Sequence, residues 1–275
     1  MNKIEEPRFE FGKNWHEFIT KNYGPQKVEI SKHHMLDFMG KKNLDGLTFL
    51  DIGCGSGLHS VAALQAGAAQ VHSFDYDANS VEASNYVRSL TGNSSVWTVE
   101  QGSVLDDDFM NNLAQFDVVY SWGVLHHTGD VWHAIRNTAE RVKPGGLLYL
   151  ALYSADVQVD PPPEFWLAVK QSYVAGGALK RRLMEFWYVW RFLLQKKISN
   201  FPGFIRRLKT YEQTRGMNLF TDIRDWIGGW PMEFVYDADA IRVCEGYGFT
   251  LKKIVTGEAN TEFLFHRNFA GENSG

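Results

Sequence analysis

Apolar residues along the chain gather into short blocks, and the blocks alternate with longer segments whose apolar positions recur at helical spacing. The blocks at 47–52, 70–75, 95–100, 116–121 and 146–153 read as strands, and the segments at about 57–66, 78–90, 106–113 and 130–142 as helices. Near-continuous apolar runs such as Phe116-Asp117-Val118-Val119-Tyr120 suit strands covered on both faces, so the alternation predicts a parallel sheet between two helical layers. Upstream, 1–45 carries two helix-like segments, one around Phe9 to Ile19 and one from Val28 to Met39. Pro161-Pro162-Pro163 breaks the alternation, and 164–215 then reads as helices with no strand among them. Past Trp230-Pro231 come a helix from Asp237 to Tyr247 and two strands, Phe249–Val255 and Glu262–His266, expected to pair antiparallel. The predicted organisation is an extension over 1–45, an α/β core from 46–155 and 232–268, and a helical insert over 156–231.

Chemistry concentrates where the first strand ends. Leu50-Asp51-Ile52-Gly53-Cys54-Gly55-Ser56-Gly57 places three alternate glycines between strand and helix, a turn that lets a nucleotide-like ligand approach the main chain. The dinucleotide fingerprint needs G-x-G-x-x-G, and no glycine follows Gly57 until Gly67, which counts against a nicotinamide cofactor. About 20 residues on, the second strand ends in Asp75-Tyr76-Asp77, where such sheets place the acid that binds ribose hydroxyls. Asp75 is the ribose candidate, and Asp77 fits a helix N-cap. The fourth strand leads through Ser121-Trp122 to His126 and His127, at the carboxyl edge where ligands of open α/β sheets bind.

Taken with Val96 to Leu105 and with Lys143-Pro144-Gly145-Gly146, these segments form four motifs in order that resemble the class I S-adenosylmethionine-dependent methyltransferases. The Val124-Leu125-His126-His127 and Lys143 to Gly146 stretches are similar to small-molecule enzymes near the ubiquinone-biosynthesis O-methyltransferase group. The resemblance implies a Rossmann-like seven-stranded sheet, mostly parallel with an antiparallel last strand. It implies S-adenosylmethionine as cofactor and S-adenosylhomocysteine as product. Asp51, Gly53, Cys54, Gly55, Gly57, Asp75, Tyr76, Ser103, Val104, Ser121 and Trp122 are the implied cofactor contacts. Ser103 stands where the family commonly has an acid, so its hydroxyl and the Val104 N–H are expected to meet the adenine instead. An N-terminal extension often covers the cofactor in this family, which nominates Phe11, Asn14 and Trp15. A hydroxyl acceptor needs its proton removed, and His126 is the preferred base with His127 second.

Composition narrows the setting. No window approaches 18 uninterrupted apolar residues and the first residues are charged, so neither a membrane span nor a signal peptide is expected, and the cytoplasm is the expected compartment. Cys54 and Cys244 are expected to be reduced, and no histidine pair has metal-ligand spacing, so no metal is expected. The net charge of −4 conceals an asymmetry: 164–215 holds 11 Lys and Arg against three Glu, giving +8, while the remainder carries −12. Leu183 to Leu194, with basic flanks, admits a lid, an acceptor pocket or an interfacial helix, and aromatics on nearly every face favour burial against protein. The reading is methyl transfer to a small molecule, to an oxygen of an acidic or partly apolar metabolite, with Lys or Arg of the insert holding an acidic group and no DNA partner. The alternatives are tRNA or protein methylation with the acceptor docked on the basic insert, and a non-catalytic cofactor-binding scaffold.

Overall fold

A computed structural model describes residues 24–92, 95–215, 219–257 and 259–269. The expectations on Phe11, Asn14 and Trp15 lie outside the described residues. Seven strands form one sheet: β1 (Thr48–Ile52), β2 (Gln70–Asp75), β3 (Trp97–Gln101), β4 (Phe116–Trp122), β5 (Val142–Tyr153), β6 (Phe249–Thr256) and β7 (Asn260–Arg267). Their order is β3-β2-β1-β4-β5-β7-β6, with β1 to β5 parallel and β7 antiparallel to both its neighbours. The chain therefore has the seven-stranded class I methyltransferase fold.

The period of two along each strand builds two cores. Phe49, Val118, Tyr120 and Tyr149 face one side, with α1 (Pro25–Met39), α2 (Leu58–Gln65) and α3 (Ala78–Thr91) packed over them. Leu50, Ile52, Val119, Leu148 and Leu150 face the other, under α5 (Val131–Glu140) and α10 (Asp237–Gly246), with the short α4 (Asp107–Asn112) beside them. Asp77 caps α3 by accepting the Asn79 N–H at 2.8 Å. One boundary differs from expectation: β5 starts at Val142, so the Lys143 to Gly146 turn lies inside the strand as a register irregularity opposite Phe116 and Val118. Lys143 fixes that start, its Nζ donating to Asp117 Oδ2 at 2.9 Å.

Among the described residues, four α-helices run between β5 and α10: α6 (Pro163–Val174), α7 (Ala178–Tyr188, continued by a π turn Val189–Leu193), α8 (Phe201–Arg215) and α9 (Leu219–Gly228). They have their own core around Tyr173, Val189, Tyr211, Ile223 and Ile227. Packing in the insert departs from expectation. No residue of α7 is fully buried: Trp187 and Tyr188 pack half-buried against Phe165 and Trp166 of α6, whereas Phe186 is exposed, so the expected burial against protein holds for one face only. Among the described side chains of the insert Lys170 is the buried cation, whereas Lys180, Arg181, Arg182, Arg191, Lys196, Lys197, Arg206, Arg207 and Lys209 are exposed.

Candidate active site

A cavity of about 1260 Å³ lies at the carboxyl ends of β1, β2, β3 and β4 and is walled on its far side by the insert. Its floor is the glycine loop. Gly53 has φ +72, and a Cβ there would stand 2.3 Å from Val124 Cγ1, so glycine lets the β1 loop pass against the β4 loop. Gly53→Ala should lower stability by about 2–4 kcal/mol in denaturant titration, from left-handed strain plus a forced shift of Val124.

The loop's N–H groups are largely engaged within the protein. Gly53 and Cys54 donate to Phe74 O at 2.9 and 3.1 Å, Gly57 to Cys54 O at 2.8 Å, and Gly55 to Asp75 Oδ2 at 2.9 Å. A phosphate would need those donors turned toward it, so the loop suits a nucleoside and not a pyrophosphate. Asp75 also accepts the Asp77 N–H at 2.9 Å and forms part of the cavity wall; burial pushes its carboxyl up to about 6, against the hydrogen bonds from Asp77 and Gly55. Tyr76 flanks it, and Ser103 and Val104 enter from the end of β3.

The wall at β4 is aromatic and histidine-rich. Trp122 stands beside His59, ring centroids 6.2 Å apart, and His59 also packs on Tyr120 at 5.0 Å. His127 ends a 3₁₀ turn, Leu125–His127, and its Nδ1–H donates to Pro231 O at 2.8 Å. That bond fixes the tautomer with the acceptor lone pair on Nε2. Burial, with Lys170 nearby, brings the His127 imidazole down to about 4, so it is neutral at physiological pH.

Of the residues singled out from sequence, Gly53, Cys54, Gly55, Asp75, Tyr76, Ser103, Val104, Trp122 and His127 share this wall, and four do not reach it. His126, the preferred base, is 0% exposed, stacked on Tyr153 at 4.2 Å with Nδ1 accepting the Tyr153 N–H at 3.3 Å, and it is His127, one residue further round the turn, that lines the cavity. Asp51 is buried behind the loop, accepting from Ser60 Oγ at 2.5 Å, and burial raises it to about 7. Gly57 packs where a Cβ would meet Trp97 and Ser84, and Ser121 Oγ donates to Ile52 O at 3.2 Å. These four support the site without lining it. The residues that sequence reasoning missed are His59, two positions past the glycine loop, and Tyr153, Trp226 and Trp230, which bring rings from β5 and the insert. From the insert, Arg207, Asp222 and Asp225 also line the cavity.

A family model for the methyltransferase domain matches residues 28–220. The chain belongs to the methyltransferase domain family. It is 29% identical over 136 residues to the ubiquinone biosynthesis O-methyltransferase of Chelativorans sp. (strain BNC1), covering 50% of this chain and 52% of that protein. It is 32% identical over 131 residues to the ribosomal protein L11 methyltransferase of Helicobacter hepaticus (strain ATCC 51449 / 3B1), covering 43% of this chain and 40% of that one. The chain thus spans about half the length or less of these curated relatives. Among solved structures, magnesium protoporphyrin IX methyltransferase from Synechocystis PCC 6803 with bound S-adenosylhomocysteine superposes with a TM-score of 0.53 at 14% identity, covering 93% of this chain and 94% of that one. At that identity the likeness speaks for the fold alone.

Proposed function

We propose that this methyltransferase-family protein uses S-adenosylmethionine to methylate an oxygen of a flat, partly apolar small molecule. The observation that carries the reading is one continuous cavity with a nucleoside-type wall at Gly53 to Gly55 and Asp75 and an aromatic wall at Tyr153, Trp226 and Trp230, with His127 between them. Bound S-adenosylmethionine would supply a methyl group on a sulfonium centre, open to in-line displacement by the acceptor oxygen. Asp75 is assigned to the ribose hydroxyls, and Ser103 and Val104 to the adenine edge. His127 Nε2 would accept the hydrogen bond of the acceptor hydroxyl and take its proton. Because the base is neutral but weak, much of the rate enhancement is assigned to alignment and exclusion of water by the insert.

The acceptor class shifts from the sequence expectation. Among the described side chains the insert's cations other than Lys170 are exposed, and Asp222 and Asp225 line the cavity along with Arg207, so ring stacking and apolar contact are favoured over capture of an acidic group. Among the described residues no helix is long and apolar enough to cross a membrane, and both cysteines are buried free thiols. A reducing, cytoplasmic setting agrees with the thiol of Cys54 standing in the glycine loop.

Asp75→Ala tests the reading directly. Loss of a charge-assisted acceptor should weaken S-adenosylmethionine binding by about 1.5–3 kcal/mol in calorimetry, and wild-type affinity should fall as pH drops through about 6, where Asp75 takes up a proton. Unchanged affinity in the variant would place the ribose elsewhere.

A further inference from the structure

The outer face of α7 carries large apolar side chains that are exposed to a large extent among the described residues. Leu179 is 75% exposed, Leu183 60%, Phe186 67% and, in the π turn that follows, Trp190 42%. The spacing of four, three and four residues puts all four within a sector of about 60° on the helix. Lys180 and Arg191 lie on one flank of that stripe and Arg182 on the other, all exposed. Beyond the π turn, Gln195 and Lys196 adopt left-handed backbone with φ of 51 and 59, and the chain turns to expose Lys196, Lys197 and Ile198. Among the described residues, Lys180, Arg182, Lys196 and Lys197 form no ion pair.

We propose that this face of α7 is a docking surface for an anionic lipid bilayer, with Leu179, Leu183, Phe186 and Trp190 entering the interface and the flanking Lys and Arg meeting lipid phosphates. The charge distribution favours this occupant. Residues 164–215 carry +8 and the rest of the chain −12, so an anionic sheet would attract this part of the insert and repel the body, fixing one orientation. Nucleic acid would use the cations but leave a row of Leu, Phe and Trp against a charged backbone. The stripe is free of carboxylates, and basic side chains on its flanks can extend to headgroups while their stems cover apolar surface. Tyr188 and Leu193 of the same segment line the cavity, so membrane contact and cavity wall use different faces of one element. The proposal is independent of which acceptor is methylated.

The test is co-sedimentation of the full chain with vesicles of equal phosphatidylglycerol and phosphatidylcholine, against phosphatidylcholine alone. Binding to the anionic vesicles is expected, weakening as salt rises. Leu183→Asp with Phe186→Asp should reduce it at least about tenfold, and Lys196→Glu with Lys197→Glu about 20-fold, each with S-adenosylmethionine affinity unchanged as a control on folding. Failure to bind at low salt, equal binding to both vesicle types, or binding indifferent to the Leu183 and Phe186 changes would overturn the proposal. So would a soluble dimer that dissociates on Phe186→Asp, which would give the stripe to a second copy, or binding abolished by competing RNA.

Discussion

Excision of residues 163–228 with a flexible glycine linker in their place should leave S-adenosylmethionine binding within a few-fold of wild type while methyl transfer falls by at least about 10³-fold. The asymmetry follows from how the two halves of the site are built. Asp75, Ser103, Val104 and the glycine loop are held by β1, β2, β3 and the cores on either face of the sheet, and none of those cores includes a residue of the insert. The insert folds around a separate core at Tyr173, Tyr211, Ile223 and Ile227. What excision removes is the aromatic wall: Trp226, whose ring meets Tyr153 at 5.7 Å, together with Trp166 and Tyr188. An acceptor would then lack its stacking partners and stand in bulk water. Equilibrium binding and single-turnover methyl transfer on the same preparation separate the two effects. Turnover that persists with an unchanged acceptor KM would show that the insert is not part of the acceptor site.

His127→Ala should lower kcat by about two powers of ten with cofactor affinity nearly intact, the lower end of what a positioned base contributes, because an imidazole held at about 4 is a weak base. The sign of the pH dependence follows from the same shift. The neutral form that accepts a proton persists down to pH about 4, so kcat should stay level through the 6 to 7 range, where an unshifted histidine would already lose activity. Any decline near pH 6 belongs instead to Asp75 and should appear in the cofactor KM, not in kcat. His126→Ala is expected to behave differently, removing a fully buried ring stacked on Tyr153 and so lowering stability, with a secondary effect on turnover. A rate profile for wild type and both variants from pH 5 to pH 8, with thermal unfolding alongside, distinguishes a group that handles the proton from one that holds the turn.

The sequence by itself determined the sheet and the place of the site. Alternation of apolar blocks with helical spacing marked the strands to within a few residues, because burial on both faces of a parallel sheet leaves no polar positions to obscure the pattern. Gly53, Gly55 and Asp75 were legible as residues of the cavity wall because the strand-to-helix turn and the end of the second strand fall at fixed intervals in such a sheet. Tertiary structure alone decided which side chains of the motifs line the cavity. His126 and His127 are adjacent in sequence, and only the 3₁₀ turn, with Pro231 O accepting from His127 Nδ1, puts one in the cavity wall and the other behind it. Asp51 reads as a site acid but lies behind the loop, since Ser60 on α2 holds its carboxylate. The insert was least legible. Its aromatic residues occur on nearly all sides of the helices, so periodicity could not say which face meets protein, and the density of rings suggested enclosure. Packing against α6 and α9 selects one face, leaves Leu183 and Phe186 outside, and turns Trp226 toward Tyr153, because which face of a helix is buried depends on neighbours that its own sequence does not contain.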